Sequence, residues 1–414
     1  MPTGVKLADP LSAAQLAESR GVRECLQWFT REKQWINERH LELCRIPAPT
    51  FLEGPRAQWM AEQFRKLGYA AEIDPAGNVT ALPPREPGGP LVALTAHLDT
   101  VLAPRTREDI AVSPDGTFYG PGVADNGAGL AALLAIARAL QSCPLIEGTH
   151  STILFAANIG EEGEGNLSGM RYLAKQSPLA PRIRAYAVLD GPSVDHITWQ
   201  ALASRRFEIA FTGPGGHSWS DYGTANPVHA LSQAVAWFAD QYAGLQEGEG
   251  PRSSFNFGLI EGGASVNSIP ASARAKVDLR SESNARIDEM AESLNAAMER
   301  ARDLENRRST GGKLAAKWKE IGARPGGTLP EGAPILEFVC AVDAHLGIRA
   351  RLDCASTDAN IPLSLGIPAL SIGAGGQGGG AHTASEWFHP EGRDLGLRRI
   401  LLTLAFLLKE DLGR

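Results

Sequence analysis

Leu91-Val92-Ala93-Leu94-Thr95-Ala96-His97 is an apolar run that stops on an imidazole. Two later runs end in a similar way. Ile153-Leu-Phe-Ala-Ala-Asn-Ile159 leads to Glu162, and Ala185-Tyr-Ala-Val-Leu189 closes on Asp190. Short continuous apolar runs read as strands buried on both faces of a parallel sheet. In open α/β sheets, ligands bind outside the carboxyl ends of the strands. His97, Glu162 and Asp190, joined by Asp125 and His382, put two imidazoles and three carboxylates there. That donor set suits a pair of zinc-like ions. The working expectation is a hydrolase with two metals.

Outward from these runs, the segment from about Leu11 to Leu67 reads as helical, with Trp28, Glu32, Trp35 and Ile36 punctuating a charged amphipathic stretch. The turn Gly120-Pro-Gly-Val-Ala-Asp125-Asn-Gly-Ala-Gly129 opens a helix from Leu130 to Leu140. Strand, helix and strand then repeat through Asp190. This alternation predicts an α/β domain, a mostly parallel sheet with helices on both faces.

The pattern changes after about Leu202. Arg206–Thr212 alternates as a half-exposed strand, and Asn226-Pro227 makes a good helix start. That helix carries Val228, Leu231, Val235 and Phe238 on one face. Strands follow at Ser254–Leu259 and Ala273–Leu279, then a helix using Ile287, Met290, Leu294, Met298 and Leu304, then a strand at Lys313–Ile321. The order β-α-β-β-α-β is that of a ferredoxin-like module. Gly322–Gly332 reads as the return linker, after which Pro334–Leu346 is a helix and Ile367–Ile372 a strand. The expected division is residues 1–202 and 326–414 for the α/β domain, with residues 203–325 inserted. Gly373–Gly380 is glycine-rich but has no lysine in P-loop spacing, so a phosphate cradle is not expected.

Composition narrows the class. A chain of 414 residues is too long for one ordinary core. Hydrophobic content of 43% with 21% charged residues describes a soluble globular protein. A net charge of −7 gives no reason to expect nucleic acid or an anionic membrane as partner. No apolar run approaches the roughly 20 residues of a membrane span. Met1–Pro10 lacks the apolar core of a secretory signal. Cys25, Cys44, Cys143, Cys340 and Cys354 are scattered, odd in number and without a CxxC pair. Neither a disulfide framework nor a cysteine zinc site follows, and a reducing cytoplasm is expected.

Each candidate ligand has a second reading. In His97-Leu-Asp99, residues two apart on a strand share a face, so Asp99 can accept from the imidazole nitrogen that does not bind metal. The alternative is a core histidine near a turn. Asp125 sits in a glycine-lined turn, where a carboxylate can bridge two ions or merely cap a helix. Glu161-Glu162 ends a buried strand, where paired carboxylates are costly unless a cation or hydrogen bonds compensate. Adjacent side chains diverge, so one glutamate can bind metal while the other faces the metal-bound water. His382 follows glycines that let backbone approach a crowded site. Glu386 either supports the site or is an exposed helix residue. Thr357-Asp358 lines the pocket or forms a polar turn. No G-x-S-x-G nucleophile elbow occurs. Trp28, Trp35 and Trp59 read as packing residues. His40, His150, His196, His229, His345 and His389 read as surface or locally bonded histidines.

Taken together, His97-Leu-Asp99, Gly120-x-Gly-x-x-Asp125-x-Gly, Gly160-Glu161-Glu162-Gly, Asp190-Gly and the late His382 resemble the dizinc family of clan MH. That family includes tripeptidase, glutamate carboxypeptidases, acetylornithine deacetylase, succinyl-diaminopimelate desuccinylase and aminoacylase. Gly160–Met170 and Ser356–His382 look most like its tripeptidase branch. The resemblance implies a phosphorylase/hydrolase-like α/β fold with a lid or dimerisation domain, and two divalent ions, zinc first, with cobalt or manganese as alternatives. Asp125 would bridge them; His97 and Asp190 would complete one, Glu162 and His382 the other. Glu161 would be the general base, and Asp99 would orient His97. His217, in Gly215-Gly-His-Ser218, would stabilise the oxyanion, usually in the partner subunit's site. Asn267 and Arg280 would hold a substrate carboxylate. The implied substrates are small peptides or N-acyl amino acids, and the implied assembly is a homodimer through the inserted domain. A binding protein that has lost catalysis is the remaining alternative. Pro121 and Asn126 depart from or vary within the pattern, which bears on substrate subclass. The Asp125–Asn126 peptide is expected to be cis, as in many relatives.

Overall fold

The computed structural model describes residues 10–86, 88–142, 149–244 and 250–410; Cys143 and the leading residues Met1–Asp9 lie outside them. The chain divides into two compact units, Met1–Ala201 with Gly327–Arg414, and Leu202–Gly326.

In the first unit, the strand Leu91–His97 is buried at every position. It earns that burial by pairing in parallel on both sides, with Thr152–Asn158 and Ile183–Leu189. A strand covered on both faces must be apolar throughout, which is why it reads as an unbroken run. Ala369–Ile372 continues the parallel set beyond Ile183–Leu189. Outside this centre antiparallel pairs enter, although Arg351–Ala355 runs parallel to His196–Ala201. Val79–Leu82 and Ala70–Ile73 add on one side, and His196–Ala201 and Gly327–Thr328 on the other. The helices Gly127–Ser142 and Arg393–Lys409 pack on it, contributing Leu130, Leu134, Leu397, Leu401 and Leu404 to its core. Arg399, fully buried, is neutralised by a two-pronged pair with Asp343, 2.7 Å on each arm. Among the described residues no helix is long and apolar enough to cross a membrane.

The second unit is a four-stranded antiparallel sheet in the order Ser253–Gly262, Ser272–Ser281, Ala203–Thr212, Ala315–Arg324. Its two helices are Pro227–Gln241 and Asn284–Arg308. This is the ferredoxin-like order. Phe207, Ile209 and Phe211 alternate inward and meet Leu231, Phe238, Met290 and Leu294. Asn226 caps the first helix, its side chain accepting from the N–H of Val228 at 2.9 Å.

Two details differ from the sequence reading. The supposed linker after Ile321 is partly strand: Gly322–Arg324 pairs with Arg206–Ser204, and Gly327–Thr328 pairs with Ala201–Gln200. Backbone hydrogen bonds define these pieces, and their small residues carry no hydrophobic alternation. Gly216–His217 also pairs with Ser268–Ile269, a ladder too short to leave a periodic signal.

Candidate metal centre

The strand Leu91–His97 ends by delivering His97 opposite Asn158. Asp125 comes from the turn before the helix Gly127–Ser142, and its peptide to Asn126 is cis. The turn is tightly packed. A Cβ on Gly127 would lie 2.5 Å from Cys44 Sγ and from the Gly122 carbonyl oxygen, so only glycine fits. Glu162 follows Thr152–Asn158, and Asp190 follows Ile183–Leu189. His382 reaches in from a residue of left-handed backbone, φ 65°.

These five side chains converge. His97 Nε2 lies 3.1 Å from Asp125 Oδ1 and 3.8 Å from Asp190 Oδ1. His382 Nε2 lies 3.1 Å from Asp125 Oδ2 and 2.9 Å from Glu162 Oε1. The two oxygens of Asp125 therefore face different imidazoles, each with a further carboxylate. One ligand atom from each of His97, Asp125 and Glu162 lies within 4.8 Å of the others. Three carboxylates against two imidazoles leave surplus negative charge, and the donor set fits divalent metal.

The electrostatics agree. Burial drives the His97 pKa down, but the carboxylates of Asp125, Asp190 and Asp99 outweigh it and hold the imidazole well above its usual value. His382 is lifted to about 9, first by its bond to Asp125. Burial pushes Glu162 up to about 7. Asp125, despite burial, is held below the ordinary range by the two histidines. An imidazole must shed its proton to bind metal. Because the His382 pKa is raised, its protonated form dominates below pH 9. Metal affinity should thus climb with pH between 7 and 9, about tenfold per unit for each imidazole that must deprotonate. Calorimetric titration with zinc across that range checks this, and a flat affinity would remove His382 from the ligand set.

Asp99 sits differently from the sequence expectation. His97 Nδ1 lies 3.0 Å from the Asp99 carbonyl oxygen but 3.5 Å from its carboxylate. The strand ends at His97, so strand alternation does not reach Asp99. Its carboxylate instead accepts from the N–H of Glu161 at 3.0 Å, the N–H of Glu162 at 2.9 Å and Thr50 Oγ1 at 2.9 Å. Asp99 thus fixes the loop that presents both glutamates, which are 5% and 6% exposed.

Several supports were not legible or were left open. Glu386 precedes a strand, is buried, and accepts from the N–H groups of Gly122, Ala124 and Asp125 at 2.7–2.8 Å. Asn126 donates to the Leu189 carbonyl at 2.8 Å and accepts from Gly191 N–H at 3.3 Å, tying the Asp125 turn to the strand that carries Asp190. His40 is a buried long-range anchor rather than a surface residue. Its Nδ1 accepts from Arg393 at 2.7 Å, so Nε2 carries the proton and donates to the Val123 carbonyl at 2.7 Å.

His217, Asn267 and Arg280 belong to the second unit. His217 is exposed, and its Nδ1 accepts from the N–H groups of Trp219 and Ser220, each at 3.3 Å. The neutral ring then holds its proton on Nε2, an outward donor. Asn267 is beside it, its carbonyl accepting from Ser218 N–H at 3.0 Å. Arg280 pairs with Asp278 at 2.7 Å near the opposite end of the strand Ser272–Ser281. At about 3.4 Å per residue, that strand separates it from the His217 end by roughly 27 Å.

Acetylornithine deacetylase of Photorhabdus laumondii is 25% identical over 256 residues, a match spanning 58% of this chain and 64% of that protein. The match therefore takes in slightly under two thirds of the deacetylase. A tripeptidase structure from Staphylococcus aureus superposes with a TM-score of 0.72 at 20% identity, covering 91% of this chain and 98% of that one. A dinuclear metal-binding peptidase of the M20 family from Bacillus subtilis superposes with a TM-score of 0.65 at 18% identity, covering 92% and 99%. At those identities the solved structures establish the fold. The model of peptidase family M20/M25/M40 matches residues 93–404, a span that takes in both units and all five converging side chains, and the chain belongs to that family.

Proposed function

We propose that this protein is a two-metal amide hydrolase, an exopeptidase of tripeptidase or carboxypeptidase type acting on small peptides with a free carboxylate. The observation that carries the reading is Asp125, whose two oxygens face separate imidazoles 3.1 Å away. In this reading Asp125 would be shared by two ions, His97 and Asp190 would help hold one, and Glu162 and His382 the other. Zinc is favoured by the imidazole-carboxylate set, with cobalt and manganese as alternatives. Such a pair would lower the pKa of a shared water toward about 7, from 15.7 in bulk, and polarise the scissile carbonyl. Glu161 takes the proton of the attacking water and returns it to the leaving amine. His217 Nε2–H donates to the developing oxyanion. Arg280 and Asn267 hold the substrate carboxylate, the guanidinium through its planar fork. The cytoplasm is the compartment this reading expects, from five scattered cysteines without a CxxC pair.

The likeness to acetylornithine deacetylase favours a second reading, an N-acyl-amino-acid deacylase with the same site. Initial rates on dipeptides, tripeptides and N-acetyl amino acids, each with zinc, cobalt or manganese, separate the two. No turnover on the whole panel, with metal bound, would instead leave a binding protein.

The span between Arg280 and His217 within one unit exceeds any small substrate. We infer that Arg280 and His217 of one chain serve different sites, and that His217 and Asn267 act at the metal centre of a second copy. In a homodimer built this way, Glu161→Gln and His217→Ala are each inactive, but mixing their subunits restores one intact site per hybrid. Random exchange should recover about a quarter of wild-type activity. Recovery of none would place His217 in its own chain's site.

A further inference from the structure

Asp358 lies between the strand Arg351–Ala355 and the helix Asn360–Ser364 and is 1% exposed. Its backbone carbonyl accepts from Ile361 N–H at 3.4 Å, but other side chains brace the turn. Thr357 N–H bonds to Asn360 Oδ1 at 2.9 Å, and Ala359 N–H to Thr357 Oγ1 at 3.2 Å. The Asp358 carboxylate instead accepts from Asn158 Nδ2, across the fold. Asn158 is the strand partner of His97, and its carbonyl accepts from Leu98 N–H at 2.7 Å. One residue thus links Asp358 to the strand end that presents His97. Its other oxygen, Oδ1, has no hydrogen-bond partner among the described residues, and neither has Asn158 Oδ1. A buried carboxylate with half its acceptor capacity unused is expensive unless its charge is wanted nearby. The charges it feels most belong to the metal centre: His97, which favours its ionised form, and Asp99 and Asp190, which oppose it.

We infer that Asp358 is a positioning residue of the metal centre: its carboxylate, pinned to Asn158 on the strand beside His97, supplies negative charge that helps hold a divalent cation at the His97–Asp190 end. The inference rests on the two-metal reading. Asp358 acts through Asn158 rather than on the imidazole itself; losing an outer partner of a metal site typically weakens binding by about 10–100-fold. Burial pushes the Asp358 carboxyl up to about 7, and a cation beside His97 would favour its charged form.

The test is titration of the metal-free protein with cobalt(II), followed by calorimetry and the visible spectrum. Wild type should take up two equivalents. Asp358→Asn keeps the shape and removes the charge. The Asn158 amide can turn over, since its Oδ1 is unpartnered, and accept from the new amide group. One of the two cobalt steps should then weaken by about 10–100-fold, the other staying at its wild-type value. Activity should return at saturating cobalt. Asn158→Ala keeps the charge but frees it, and should weaken the same step by less; it serves as the second variant if Asp358→Asn does not fold. Wild-type affinity for both steps in either variant would overturn the inference, as would equal weakening of both steps, the mark of a general loss of structure. Wild type binding fewer than two equivalents would overturn the two-metal reading and this inference with it.

Discussion

Glutamine in place of Glu161 should leave metal binding intact and cut turnover by about 10²–10⁴-fold, the range removed when a general acid–base group is lost. The substitution preserves volume, and the Glu161 N–H keeps its bond to Asp99 Oδ1 at 3.0 Å. Only the capacity to take and return a proton is lost. The corresponding rise in barrier is about 3–5 kcal/mol. Metal content by mass spectrometry and kcat on the best panel substrate check both halves. Turnover within tenfold of wild type would exclude Glu161 as the base, and loss of metal would make it a ligand instead.

The second large effect is on stability. Glu386→Ala removes the shared acceptor of the Gly122, Ala124 and Asp125 N–H groups. An unsatisfied buried donor costs about 1–3 kcal/mol, so the variant should lose roughly 3–6 kcal/mol after partial relaxation. The loss should be accompanied by depleted metal, because the same turn aims Asp125 at both histidines. Urea unfolding with and without zinc measures the two together. A variant within about 1 kcal/mol of wild type, still loaded with metal, would mean that His40 and Arg393 suffice to hold the turn.

The ligands were legible for a simple reason. His97, Glu162 and Asp190 end or follow strands so thoroughly buried that their apolar runs stand out, and charge at the end of such a run has few structural excuses. Their supports were not. Glu386 acts on residues more than two hundred and sixty positions earlier, so its place four residues after His382 suggests a support without showing what it holds, and an exposed helix residue reads equally well. His40 depends on Arg393 and Val123, and Asn126 on Leu189 and Gly191, so their roles exist only after the strands align. Asp99 misled for the opposite reason. Its spacing from His97 implied a shared strand face, but the strand stops one residue short of Leu98, and its carboxylate is taken by the Glu161–Glu162 backbone.

By itself the amino-acid order determined the parallel centre of the α/β sheet, the inserted β-α-β-β-α-β pattern and the kinds of donor available at the strand ends. Apolar periodicity encodes which faces are buried, and that information is local. The tertiary structure alone decided that the two oxygens of Asp125 look toward different imidazoles, that Glu386 and His40 brace the turn that carries it, and that Arg280 and His217 lie toward opposite ends of the strand Ser272–Ser281. Those are distances between segments far apart along the polypeptide, and they are fixed only when packing brings their backbones into register.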